Sequence, residues 1–283
     1  MIKKQLIFIA LSLATIFSLQ AQDDLLDDLD SETTDTSFES PAFKTMKIAN
    51  LQSTKIGAKG DFYFVVSHRF GPLKDGVDTF FGLDQASTKI QFAYSFWNGV
   101  QLSVSRESYN RTFAGALKFG LTKQSKKFPL NIVGYATINK NTLVDTTIFP
   151  ALTNTDTYSY MAQVLISRRF SNKFSFQIAP TYVRENLQNL NVVPTAKHNQ
   201  TALGFGGRYK INKRVSFNAE YVYNFSRPAT SPFADAYGFG IDIETGGHVF
   251  QLVFTNSQSM NGPGFVNNAE GDLSFGFSIV RVF

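Results

Sequence analysis

The chemistry this chain could perform rests first on three histidines, the side chains whose charge changes nearest neutrality, and one of them stands in Ser67-His68-Arg69. A hydrolase needs a nucleophile within hydrogen-bond reach of such a base, with a third group to orient it. His68 shares its two-residue parity with Phe62, Phe64, Val66 and Phe70, so an extended strand turns it to the apolar row and Ser67 and Arg69 to the other. Serine and base then face apart, no Gly-x-Ser-x-Gly elbow is present, and His68 is expected at head-group level. His198 and His248 are expected at opposite ends of their strands, which argues against a shared metal. Gly204-Phe-Gly-Gly207 offers a superficial phosphate loop, but it lies mid-strand with no helix after it, so close backbone packing is the expectation. No catalytic residue, cofactor, metal or nucleic acid is expected, and cysteine chemistry is excluded because the chain has none.

The patterned charge lies elsewhere. By strand parity Arg69, Lys89, Lys118, Arg169, Arg208 and Lys210 face one side together with Glu220, Asp242 and Glu244. A water-filled lumen lined by that set attracts anions, most strongly at low salt. Many of the same cations fall at strand ends, where phosphate head groups or one another are alternative partners.

A closed sheet must position them. The chain ends in Asp272-Leu-Ser-Phe-Gly-Phe-Ser-Ile-Val-Arg-Val-Phe283, in which Phe275, Phe277, Ile279 and Phe283 share a face and form the expected C-terminal signal for barrel assembly. Twelve strands are predicted at about 60–70, 87–97, 99–106, 111–122, 128–139, 157–170, 174–184, 199–211, 214–225, 235–243, 247–256 and 272–283. Joins after even strands are tight and those after odd strands mostly long, the alternation of a bacterial barrel with periplasmic turns and extracellular loops. The fold expected is an all-β, transmembrane, antiparallel up-and-down β-barrel of about twelve strands with both termini periplasmic. Twenty-nine phenylalanines and eleven tyrosines in a chain only 17% charged suit an outer band with aromatic girdles. Pro180 breaks the seventh strand's donor row and predicts a bulge or a local weakness.

Two segments precede the barrel. Residues 1–21, with Lys3 and Lys4 before an apolar stretch, have the form of a signal peptide, implying Sec-type export and cleavage after Ala21. Residues 22–40 form an acidic segment, expected to be disordered in the periplasm and able to dock a partner there. Setting aside Lys3, Lys4 and the eight acids from Asp23 to Glu39 leaves 25 basic against 14 acidic side chains, so the part assigned to the barrel, 41–283, is basic. Within it 41–59 fits an extra strand, a periplasmic arm or a segment tucked into the barrel mouth.

Asp61-Phe-Tyr-Phe-Val-Val-Ser-His-Arg-Phe-Gly-Pro72, Phe80-Phe-Gly-Leu-Asp84, Gly247-His-Val-Phe-Gln-Leu-Val-Phe-Thr-Asn-Ser257 and Phe277-Ser-Ile-Val-Arg-Val-Phe283 resemble an uncharacterised β-barrel family from Bacteroidetes, domain of unknown function 5777. The resemblance spans roughly Phe43 to the end and implies an outer-membrane barrel without naming an activity. The expected partners are the outer-membrane bilayer, the barrel-assembly machinery through the last strand, and a periplasmic protein. The expected function is a narrow, porin-like channel for small, anionic solutes, with Lys140 to Asp156 and Ser257 to Gly271 placed to gate it or fold inward. The alternatives are a non-transporting barrel that anchors surface loops or docks a partner, and a membrane-embedded lipid hydrolase.

Overall fold

The computed structural model describes residues 41–148, 151–187 and 197–283. The segments expected to be a signal peptide and an acidic arm lie outside the described residues, as do the middles of the loops after the fifth and seventh strands. The strands are β1 (Phe62–Pro72), β2 (Ala86–Trp97), β3 (Val100–Glu107), β4 (Thr112–Thr122), β5 (Asn131–Asn141), β6 (Tyr158–Arg169), β7 (Phe174–Glu185), β8 (Asn199–Lys210), β9 (Val215–Asn224), β10 (Ala236–Thr245), β11 (His248–Thr255) and β12 (Ser274–Val282). Each pairs antiparallel with its sequence neighbours, and β1 pairs with β12 to close the barrel. All twelve predicted strands are present, displaced at their ends by a few residues at most.

The two-residue period explains why these segments are strands. In β9, Phe217, Tyr221 and Tyr223 are exposed while Ser216, Asn218, Glu220, Val222 and Asn224 are buried. Bare aromatic rows on the outside and polar groups inside invert a soluble sheet, and suit a wall whose backbone is fully paired within hydrocarbon. In β6, Val164, Leu165 and Ile166 run together in sequence, but only Leu165 points inward and is buried. Pro180 produces the weakness without the bulge. The β6–β7 register is the same on either side of it, with Gln163 opposite Thr181 and Ile166 opposite Ile178, and only the pairing between them lapses.

The seam joins the two ends of the wall. Phe62 and Phe283 exchange backbone hydrogen bonds of 3.2 and 2.9 Å, and their rings lie 6.0 Å apart. Phe275 stacks on Phe70 at 5.8 Å, and Phe277 lies 4.8 Å from the His68 ring. Arg281, which interrupts the apolar row, lies 4.6 Å over the Phe283 ring and contacts His248 across the β11–β12 pair.

Two segments fill the interior. Residues 41–59, left open by the sequence, are the tucked-in segment: Ile48 N–H donates to Leu51 O at 2.8 Å and Ser53 N–H to Met46 O at 2.9 Å, around a Lys47–Gln52 bridge. This hairpin enters from the end of the tight turns, where Lys44 pairs with Glu244, and turns back at Ala49-Asn50. The chain between β11 and β12 folds in toward it as well, through a short helix α1 (Gly262–Asn267) whose Asn261 cap accepts from Gly264 N–H at 2.9 Å. The apolar core is therefore the lumen, where Phe43, Ile48, Leu51, Phe265 and Val266 join Val133, Leu165, Ala179, Val183 and Val222.

The glycine run on β8 accommodates this filling. A Cβ on Gly206 would lie 2.1 Å from Ile48 Cδ1, and one on Gly204 3.1 Å from both Leu51 methyls. Close packing, not phosphate, explains Gly204-Phe-Gly-Gly207. Gly206→Leu is expected to lower stability by about 1–3 kcal/mol through overpacking, measured by denaturant unfolding in detergent. Gly207→Leu on the outer face, where a Cβ meets only Ser175 O at 4.0 Å, is the control expected to change little.

Candidate functional site

The tip of the hairpin presents three successive backbone donors. Ala49, Asn50 and Leu51 N–H groups donate to the Glu220 carboxylate at 2.9, 2.7 and 2.9 Å. Glu220 is carried by β9 at an inward position and is only 5% exposed. Consecutive amides turned to one side make an anion-binding concavity, and the wall supplies the anion. Arg69 on β1 holds the opposite side of the tip, its Nη2 donating to Asn50 Oδ1 at 3.0 Å and Ala49 O at 3.3 Å. Gly276 on β12 leaves it room, since a Cβ there would lie 2.7 Å from Arg69 Cδ.

The hairpin's two arms are gripped lower down. Lys118 Nζ donates to Met46 O at 2.8 Å and to Lys55 O at 3.3 Å. Gln177 reads the backbone twice, accepting from Thr54 N–H at 3.0 Å and donating to Gln52 O at 2.7 Å. Gln251 Nε2 donates to Ile48 O, Thr45 Oγ1 and Asp242 Oδ1. Arg208 donates to Ser216 Oγ at 3.0 Å and reaches Ala42 O at 3.5 Å.

A second grip holds the β11–β12 loop. Glu107 accepts from Met260 N–H at 2.6 Å and Asn261 Nδ2 at 3.2 Å, while Lys47 and Lys89 both donate to Met260 O, at 2.8 and 3.1 Å. Lys89 and Glu107 are direct partners across β2 and β3, and Lys47 belongs to the hairpin. One peptide group thus ties loop, hairpin and wall together.

All nine residues expected from parity occupy inward positions. Arg69, Lys89, Lys118, Arg208, Glu220 and Asp242 are buried; Arg169, Lys210 and Glu244 are half-buried at the tight-turn mouth. The structure brings them together around polypeptide and not around an open passage. Arg169 folds onto its own turn, with Nη2 3.0 Å from Asn172 Oδ1. Sequence reading missed Glu107, which it placed in a turn, together with Lys47, Gln177 and Gln251. Glu107 was findable, because it continues the inward parity of Gln101, Ser103 and Ser105.

The histidines do not converge. His68 faces outward with Nδ1 3.0 Å from Thr88 Oγ1, His198 Nδ1 contacts Glu185 O at 2.8 Å, and His248 Nε2 contacts Arg281 at the other end of the barrel. Among the described residues no group of three His, Asp or Glu side chains is placed to hold a metal.

The barrel is similar to solved porins. The NanC porin aligns over 78% of this chain and 98% of its own, at 11% identity and a TM-score of 0.54. The KdgM porin in complex with disordered oligogalacturonate aligns over 79% of this chain and 99% of its own, at 8% identity and a TM-score of 0.50. At such identities the likeness shows the fold. No curated protein matches the sequence. A family model does, over residues 43–283, and the chain belongs to that family, the membrane bound beta barrel domain known as domain of unknown function 5777.

Proposed function

We propose that this protein is an outer-membrane channel held closed by its own hairpin, through which small solutes pass when the hairpin leaves the lumen. The observation that carries this reading is the polar wall beneath the hairpin: Gln177, Gln251, Lys118, Arg69 and Glu220 hold backbone groups that water can replace. A barrel that only anchors loops can be built from eight strands and filled by wall side chains alone, whereas twelve enclose a wider lumen that this chain fills with a separate segment. With the hairpin withdrawn, inward cations outnumber inward acids, which favours anions. The porin-like fold supports the same class of function.

The test is conductance in planar bilayers. The intact protein is expected to pass almost no current. A variant lacking residues 46–53, whose ends Met46 and Ser53 are hydrogen-bonded neighbours, is expected to pass a steady, anion-selective one. No current from the folded deletion variant would overturn the channel, and cation selectivity would overturn its anionic preference. A second reading, a permanently filled barrel that anchors surface loops or docks a periplasmic partner, draws on the apolar packing of Phe43, Ile48 and Leu51. We read neither function as enzymatic.

The orientation proposed puts both termini and the tight turns in the periplasm after Sec-type export, with Phe275, Phe277, Ile279 and Phe283 presented to the assembly machinery. The cysteine-free chain makes this easy to test. Leu143→Cys is expected to react with an impermeant thiol reagent in intact cells and Lys126→Cys only after lysis; the reverse would invert the topology.

A further inference from the structure

The long-loop mouth contains a cavity of about 280 Å³. Its walls come from separate elements: Tyr109 from the β3–β4 turn, Asn141 ending β5, Asp156 and Tyr158 at the start of β6, Glu185 ending β7, and Phe233 from the β9–β10 loop. Its floor is the inward-folded β11–β12 loop, through Asn261, Gly264 and Asn268.

The chemistry of that lining is specific in what it holds and in what it lacks. The rings of Tyr109 and Phe233 are joined by four asparagines, and no lysine or arginine is among the lining residues; Tyr158 borders the cavity from β6 while its ring turns to the outer face, stacked on Tyr160 and 5.5 Å beneath Lys140 Nζ. An asparagine side chain both donates and accepts, as an alcohol does. Aromatic rings give broad apolar contact with a polar edge. A carboxylate or phosphate ligand would meet Asp156 and Glu185 with no lysine or arginine among the lining residues to receive it. Asp156 stays ionised, its carboxyl held below the usual range by the Thr153 N–H and hydroxyl, which donate at 2.7 and 2.8 Å. The Tyr109 phenol stays protonated as a donor, pushed up by burial and by the nearby Glu270, Glu107 and Glu185. Neither wall carboxylate calls for a cationic ligand, because Asp156 is satisfied by Thr153 and Glu185 accepts from Asn267 Nδ2 at 2.8 Å.

We propose that this cavity is a binding site for a neutral, polyhydroxylated ring, a saccharide of one or two units, at the long-loop entrance of the barrel. The size fits: ligand sites for larger, drug-sized molecules run from about 300 to 1,000 Å³. The sugar ring packs against Phe233, and hydroxyls pair with the asparagines and the Tyr109 phenol. The proposal rests on the channel reading in making the cavity an entry subsite. It sharpens that reading, because the entrance discriminates by hydroxyl pattern while the basic charge lies deeper.

Calorimetric titration of the intact protein in detergent with glucose, a glucose disaccharide, glucuronate and glucosamine tests it, since three of these share one ring and differ in charge. Saturable binding of glucose or the disaccharide is expected, with glucosamine no tighter than glucose and glucuronate at least about tenfold weaker. Phe233→Ser, in a loop, and Tyr109→Ala are each expected to weaken binding about tenfold, the scale of one lost aromatic contact. Phe233→Ser keeps the test valid should Tyr109→Ala fail to fold. Absence of saturable binding, preference for glucuronate or glucosamine, or unchanged binding in Phe233→Ser would overturn the proposal. The readout needs no current, so a barrel that binds glucose and never conducts would overturn the channel alone.

Discussion

Glu220→Ala is expected to turn a silent barrel into a conducting one, with an open fraction about 100-fold higher in planar bilayers. The mutation removes the acceptor of three buried amides at once. A hydrogen bond to a charged group contributes about 1.5–3 kcal/mol. Allowing water to recover part of the three, a net loss of about 3 kcal/mol shifts the equilibrium about 100-fold. Glu220→Gln keeps one acceptor oxygen but turns an amide N–H₂ toward the donors, so an intermediate opening is expected. If Glu220→Ala stays silent while the 46–53 deletion conducts, the carboxylate is not what latches the hairpin.

Glu107→Ala is expected to cost about 3–5 kcal/mol of stability, the range for removing one partner of a buried charge pair. Lys89 and Lys47 then keep the Met260 carbonyl but lose the Glu107 carboxylate that offsets their charge, and Met260 N–H loses its acceptor. Denaturant unfolding in detergent measures the loss. Lys89→Met in the Glu107→Ala background is expected to recover part of it, the non-additivity that marks directly coupled residues. A loss below about 1 kcal/mol, within the range of exposed pairs, would mean that the loop is held by its apolar residues Phe265 and Val266 instead.

Much of the wall was legible because its signal is local. Alternation in β9 or β12 is contained within a dozen residues, and each tight turn is announced by its own residues. Parity also sorted Arg69, Lys118 and Glu220 to the correct side. What parity does not encode is what stands opposite them. The hairpin has no amphipathic period, since both of its faces are covered by a wall that surrounds it, and Phe43 to Leu51 fits an extra strand, an arm or a tucked-in segment equally well. The one local trace was a pair of small inward residues, Gly204 and Gly206, whose missing side chains are occupied by Leu51 and Ile48. Glu107 was lost differently, because a charged residue at a strand end looks the same whether it meets water or a buried peptide. The mouth cavity was out of reach, since its lining is drawn from six separate stretches of chain.

The hairpin immediately precedes the first strand, yet its partners arrive late: Gln177, Glu220 and Gln251 lie 123 to 206 residues further along. Contacts of such separation form slowly, because the loop they close must be ordered before any of them rewards it. During biogenesis the first segment of the folded part to emerge is therefore among the last to find its place. It has to wait unpaired while β7 to β11 assemble, and its full set of partners, from Arg69 on β1 to Gln251 on β11, stands around it only once the wall is complete. The order of folding events is written into the position of one hairpin.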